Sequence, residues 1–269
     1  MNPQWWMLFE LIPVQRAFIA LLIAGSTLPI VGVWIIGLNI IPVRFAMMHV
    51  ALLGVALGTL AGFEPLLMGI VLCGVTGVAL APLAKRPAGL SGPMGLVMTL
   101  AIAIALLVLS LSGVNANGAF EWLWGSILAT RQQDLVALVI IAGSILLVDW
   151  HYRRQLTLLL YDREIAITSG INANLLTALL MGIIAIAIAA AVRLTGALLV
   201  DALTILPAIA ARNLGRSLGD MVKWAVLIGF AGNLIGFVMT LMLNQPPGPL
   251  LILTVGIITL ASYTYRPKE

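Results

Sequence analysis

The feature that most constrains this chain is a succession of almost uncharged apolar stretches, at roughly 16–38, 45–63, 65–84, 92–111, 133–150, 174–193, 197–211, 221–243 and 247–264. A helix needs about 20 such residues to cross the hydrocarbon core of a bilayer. Strands of a membrane barrel alternate apolar with polar residues; these runs are continuous, so helices are expected. The seventh is short, and 112–132 is a long connection with aromatic content, which gives eight or nine crossings with nine as the working count. Composition agrees, since 62% of the 269 residues are apolar and 9% are charged, against roughly 45–50% and 25% in soluble domains. The expectation is a single all-α transmembrane domain over 1–269, a polytopic helix bundle. Soluble, disordered and collagen-like folds are excluded. So is a nucleic-acid-binding domain, because 14 basic residues spread over this length make no patch. A disulfide scaffold falls because Cys73 is the one cysteine.

Lys and Arg collect on the cytoplasmic side of membrane proteins. Nine spans with the 85–91 connection inside put Arg44, Lys85, Arg86, Arg153, Arg154, Arg163, Arg212, Arg216, Lys223, Arg266 and Lys268 on the inner side. Arg16, Arg131 and Arg193 fall on the outer side. The bias places the N-terminus outside and the C-terminus inside, and an eight-span count changes the parity of one end. The first residues have no charged region ahead of an apolar run and no small-residue cleavage site, so no signal peptide is expected. Trp5, Trp6 and Phe9, ahead of Pro13, are expected to anchor at headgroup depth on the outer face.

Enzyme signatures are missing from the sequence. It holds no G-x-x-x-x-G-K-[ST] phosphate loop, no G-x-G-x-x-G after a strand and no HExxH. Ser26, Ser110, Ser126 and Ser144 lie in or near spans without a nucleophile motif, and each is expected to bond back to its own helix. Gly54, Gly58 and Gly62 recur every fourth residue on one side of the second span, a spacing that lets helices approach closely in lipid.

Ionisable residues inside spans are costly and therefore functional candidates. His49 in the second span and Asp201 in the seventh are the two so placed. A neutral imidazole ligates zinc, copper, iron or nickel, and a carboxylate supplies a hard oxygen or holds a proton. The span limits separate the two in depth by on the order of 15 Å, two stations on a path rather than one coordination shell. Pro207, six residues after Asp201, is expected to break its helix and free the carbonyl of Leu203. Asn233 is expected to bond across helices. The longest inner connection, WHYRRQLTLLLYDREIAITSGIN at 150–172, mixes charged and apolar residues in a helical period. Asp162 and Glu164 near the start of a short helix suit its dipole, and Gly170 suits its end. Such an exposed helix has to dock on something or lie on the membrane surface.

Taken in order, five segments resemble the integral membrane permeases of zinc-, manganese- and iron-type ABC importers. VQRAFIALLIAGSTLPIVGVWII (14–36) resembles that family's opening span. FAMMHVALLGVALG (45–58) resembles its D-A-L-S-H-x-x-x-P-G-x-A, with His49 and Gly54 in register. LWGSILA (123–129) resembles its L-F-G-S-I-L-A, and YDREIAITSGI (161–171) its D-x-E-x-A-x-x-x-G-I. TGALLVDALTILPAIAAR (195–212) resembles its G-x-L-L-V-x-A-L-L-I-x-P-A-A-x-A. Phe45 stands where the family has an acid four residues before the histidine, Leu53-Gly54 stands for Pro-Gly, and AGLSGPMG (88–95) is neutral where the family carries an acid.

The resemblance implies a transport subunit in the plasma or inner membrane of a prokaryote, working as a homodimer. Its partners would be cytoplasmic ATPase subunits and an extracytoplasmic metal-binding protein. No cofactor is expected on this chain; zinc or manganese would be cargo, with His49 and Asp201 on its path. Tyr161, Asp162, Arg163, Glu164, Ala166 and Gly170 would belong to a coupling helix, within 152–172, that fits a cleft of the ATPase. A permease for a metal chelate such as a siderophore or corrinoid, and an ATP-independent channel or carrier, remain the alternatives.

Overall fold

The computed structural model describes residues 5–85, 90–112 and 127–264. Among them are eleven α-helices: α1 (Ile12–Gly37), α2 (Val43–Ala61), α3 (Pro65–Leu80), α4 (Ser91–Leu111), α5 (Gln132–His151), α6 (Arg153–Tyr161), α7 (Arg163–Thr168), α8 (Ala173–Thr195), α9 (Ala197–Leu214), α10 (Leu218–Leu243) and α11 (Pro247–Thr264). Eight helices are long and apolar enough to cross a membrane among the described residues. The expected seventh span is α9, whose 18 residues extend for about 27 Å at 1.5 Å each. Arg86, Arg266, Lys268 and residues 123–126 of the LWGSILA segment, Ser126 included, lie outside the described residues; Ile127–Ala129 form a 3-10 turn.

The chain divides into two compact units. The first holds α1 to Ile36, the larger part of α5, and α9–α11. Here α9, α10 and α11 pack against one another pairwise. Helix α1 joins them where glycine removes the side chain, since a Cβ on Gly32 would run into the Thr204 carbonyl of α9 and one on Gly229 of α10 into the Gly25 carbonyl. Phe9 packs edge-on against Phe18 of α1, with ring centroids 5.5 Å apart, and lies 6.1 Å from Phe237 of α10. The rings satisfy one another, so Phe9 is a packing residue rather than the headgroup anchor expected, whereas Trp6 is 55% exposed. Trp5's side chain lies outside the described residues.

Two further expectations in this unit are corrected. Helix α9 runs unbroken through Pro207. Beside the proline the Thr259 hydroxyl of α11 lies 3.0 Å from the Leu206 carbonyl as well as 2.8 Å from its own Val255 carbonyl. Asn233 is fully buried against Gly25, but its Nδ2 donates to Gly229 of its own helix at 2.6 Å instead of across to α1.

The second unit holds α2–α4, α6–α7 and α8 to Arg193. Helix α2 packs on both α3 and α4. Leu52 and Ala56 meet Ala105, Val108 and Leu109 of α4 in a buried cluster. The opposite side of α2 meets α3 at Gly54 and Gly58: a Cβ on Gly54 would fall 2.5 Å from the Gly69 Cα, and one on Gly58 3.0 Å from the Pro65 Cα. Gly62 continues the spacing but not the contact. It is the C-cap of α2 with φ +74°, its N–H donates to the Gly58 carbonyl, and nothing lies within 4 Å of where a Cβ would be. Backbone that close rejects any larger side chain, whereas a left-handed position charges an L-residue only its conformational strain. Gly54→Leu should therefore destabilise the protein by more than the roughly 1–3 kcal/mol usual for overpacking, and Gly62→Ala by about 1–2 kcal/mol. Thermal unfolding in detergent checks this; equal losses would remove the packing role of Gly54.

Candidate functional site

His49 is the seventh of the 19 residues of α2 and is half-buried. Its Nδ1 lies 2.7 Å from the Phe45 carbonyl. A carbonyl only accepts, so Nδ1 carries a hydrogen, and Nε2 is the ring nitrogen left to offer a lone pair. Metal-binding histidines are commonly held this way, one ring nitrogen fixed by a carbonyl and the other free to ligate. Phe45, which stands where the resembled family has an acid, contributes its carbonyl to His49 while the Arg44 guanidinium lies over its ring, 4.4 Å from the centroid. Asp201 is half-buried in the N-terminal half of α9. His49 belongs to the second unit and Asp201 to the first. Among the described residues no three His, Cys, Asp or Glu side chains gather as a metal-holding group. The hydroxyls of Ser26 and Ser144 bond to carbonyls of their own helices, Leu22 at 2.6 Å and Ile141 at 2.7 Å, which gives neither the setting of a nucleophile.

The 150–172 connection folds as two short helices where sequence suggested one. Asp162 separates them with extended backbone, φ −154° and ψ 125°. Its carboxylate accepts from the Glu164 and Ile165 amides at 2.7 and 3.0 Å, which caps α7. Gly170, at φ +80°, turns the chain back into α8. The six residues expected to contact a partner divide by direction. Tyr161 is 83% exposed, and Glu164 and Gly170 are exposed as well. Ala166 is fully buried, and Arg163 points into the unit, donating to Asn174 at 2.7 Å and Thr177 at 3.1 Å of α8. Sequence reasoning missed Asn174 and Thr177; their signal was a cluster of polar side chains in the first turns of an otherwise apolar span.

The family model described as the ABC 3 transport family matches residues 10–266. The manganese import system permease protein ScaB of Streptococcus parasanguinis is 27% identical over 258 residues, covering 95% of this chain and 91% of that protein. The high-affinity zinc uptake system membrane protein ZnuB of Haemophilus influenzae is 26% identical, covering 82% of this chain and 85% of its own. Among solved structures, a chain of PsaBC from Streptococcus pneumoniae in complex with Fab has the same fold at a TM-score of 0.84, with 23% identity over 100% of this chain and 97% of that one. With eight apolar spans and a family match over nearly its whole length, the chain is a multi-pass membrane transport subunit and belongs to the ABC 3 transport family.

Proposed function

We propose that this chain is the permease of an ATP-driven importer of manganese or zinc, present as two copies with two cytoplasmic ATPases and fed by an extracytoplasmic metal-binding protein. The observation that carries the reading is α7: a short capped helix between two spans, presenting Glu164 outward beside the exposed Tyr161 at the end of α6, while Arg163 and Ala166 hold it to the unit. A helix with one face secured and the other bare suits a docking partner. The substrates named for the relatives, manganese and zinc, support the choice of cargo. Both ions accept an imidazole nitrogen and a carboxylate oxygen. In this reading Nε2 of His49 and the Asp201 carboxylate each take the ion in turn along the path.

Removing either donor tests the path. His49→Ala and Asp201→Asn should each lower uptake by about tenfold or more while the complex assembles as before; radiometal uptake and co-purification measure the two. Wild-type uptake in either variant returns that residue to a packing role. Charge reversal at Glu164 tests docking better than at Asp162, since Asp162 also caps α7. Glu164→Arg should leave the chain folded but uncouple ATP hydrolysis from uptake, and an unchanged ratio of ions to ATP would remove the docking role.

A further inference from the structure

We propose that Arg163 is a positioning residue: a strut that makes α7 and the first turns of α8 one rigid piece. A displacement of α7 is then delivered to the span 173–195 instead of being absorbed in the loop between them. The inference rests on the coupling role proposed for α7 and adds the route by which motion leaves it.

The guanidinium reaches two acceptors one turn apart on the same face of α8, Asn174 Oδ1 at 2.7 Å and Thr177 Oγ1 at 3.1 Å. The second acceptor is itself fixed. Thr177 gives its one proton to the Ala173 carbonyl at 2.7 Å, which leaves its lone pairs for Arg163. The neighbouring Asn172 side chain caps α8 at the Leu175 amide, 3.1 Å away. Arg is charged throughout the useful pH range and its planar fork sets direction as well as distance. The loop has no slack, because Gly170, Ile171 and Ala173 donate to Ile167, Ala166 and Ile171 at 3.0, 3.0 and 2.8 Å.

The other side of α7 is built differently. Its junction with α6 is the one extended residue Asp162. A cavity of about 390 Å³ lies elsewhere, between Tyr152 and Gln155 at the start of α6 and the 169–172 turn with Leu175, Leu176 and Leu179 of α8. The two Arg163 bonds and the bonded turn at 170–173 are therefore the route by which motion of α7 passes to α8.

The test uses the full chain in complex with its ATPase, comparing wild type, Arg163→Met, Arg163→Lys and the pair Asn174→Leu with Thr177→Val. Arg163→Met should assemble and hydrolyse ATP near the wild-type rate, yet move about tenfold fewer ions per ATP. Arg163→Lys should restore part of the ratio, since an ammonium reaches one acceptor. The paired change should match Arg163→Met and add nothing to it. An unchanged ratio, or a fall only in proportion to the complex assembled, overturns the strut. Hydrogen exchange on the purified chain gives a second readout that does not depend on transport: Arg163→Met should speed exchange of the Ile171 and Ala173 amides by about tenfold. Unchanged exchange overturns the strut even if the wild-type complex imports no metal, an outcome that would instead remove the coupling role of α7.

Discussion

Hydrocarbon offers a polar group no water, so every amide, carbonyl and hydroxyl in a span must find its partner within the protein. The helices follow from that constraint, and so does the use of nearly every hydroxyl along them. Ser26, Thr204 and Thr240 donate to carbonyls one turn back, at 2.6, 2.6 and 2.9 Å. A side chain with capacity left over is then conspicuous. His49 satisfies Nδ1 on the Phe45 carbonyl like any serine, but a ring with two nitrogens keeps the second. Helices whose polar groups are already satisfied gain little from hydrogen bonding to each other, and backbone contact through small residues takes over. Gly54 against Gly69, and Gly229 against Gly25, are where that happens.

Between the spans, where water is available, the rules change. The 153–172 segment owes its shape to caps and side-chain bonds that a buried helix does not need. Asp162 ends α6, starts α7 and sets the angle between them. Arg163, the next residue, sends its charge back to α8. Adjacent residues on a capped helix thus serve opposite faces, one securing the device and the other exposing it. On the coupling role proposed above, the energy of a partner ATPase would reach the permease as displacement at this surface.

How much the sequence revealed follows the same physics. Span limits were legible to within a few residues, as in 92–111 against Ser91–Leu111 and 247–264 against Pro247–Thr264. Desolvation writes those limits into composition. What composition does not encode is which way a residue faces. Gly62 shares the spacing of Gly54 and Gly58 but lies past the helix end. Pro207 reads as a break, yet the helix runs on through it within a bundle of packed neighbours. Asp162 reads as a helix-start acid within one segment, and only the fold shows that it divides two. Charge inside a span located His49 and Asp201, helix-end chemistry located Asp162, Glu164 and Gly170, and the family likeness supplied the roles expected of them; the fold shows which way the residues of α7 face.

The central claim is that ATP hydrolysed on a partner drives a divalent metal through this chain. The most direct measurement is accumulation of manganese and of zinc by proteoliposomes holding this chain and the ATPase purified with it, supplied with the metal-binding protein on the opposite face. Accumulation of one ion against its gradient, strictly requiring ATP, is the result the account predicts. Equal flux down a gradient without ATP, or without the ATPase, would contradict it.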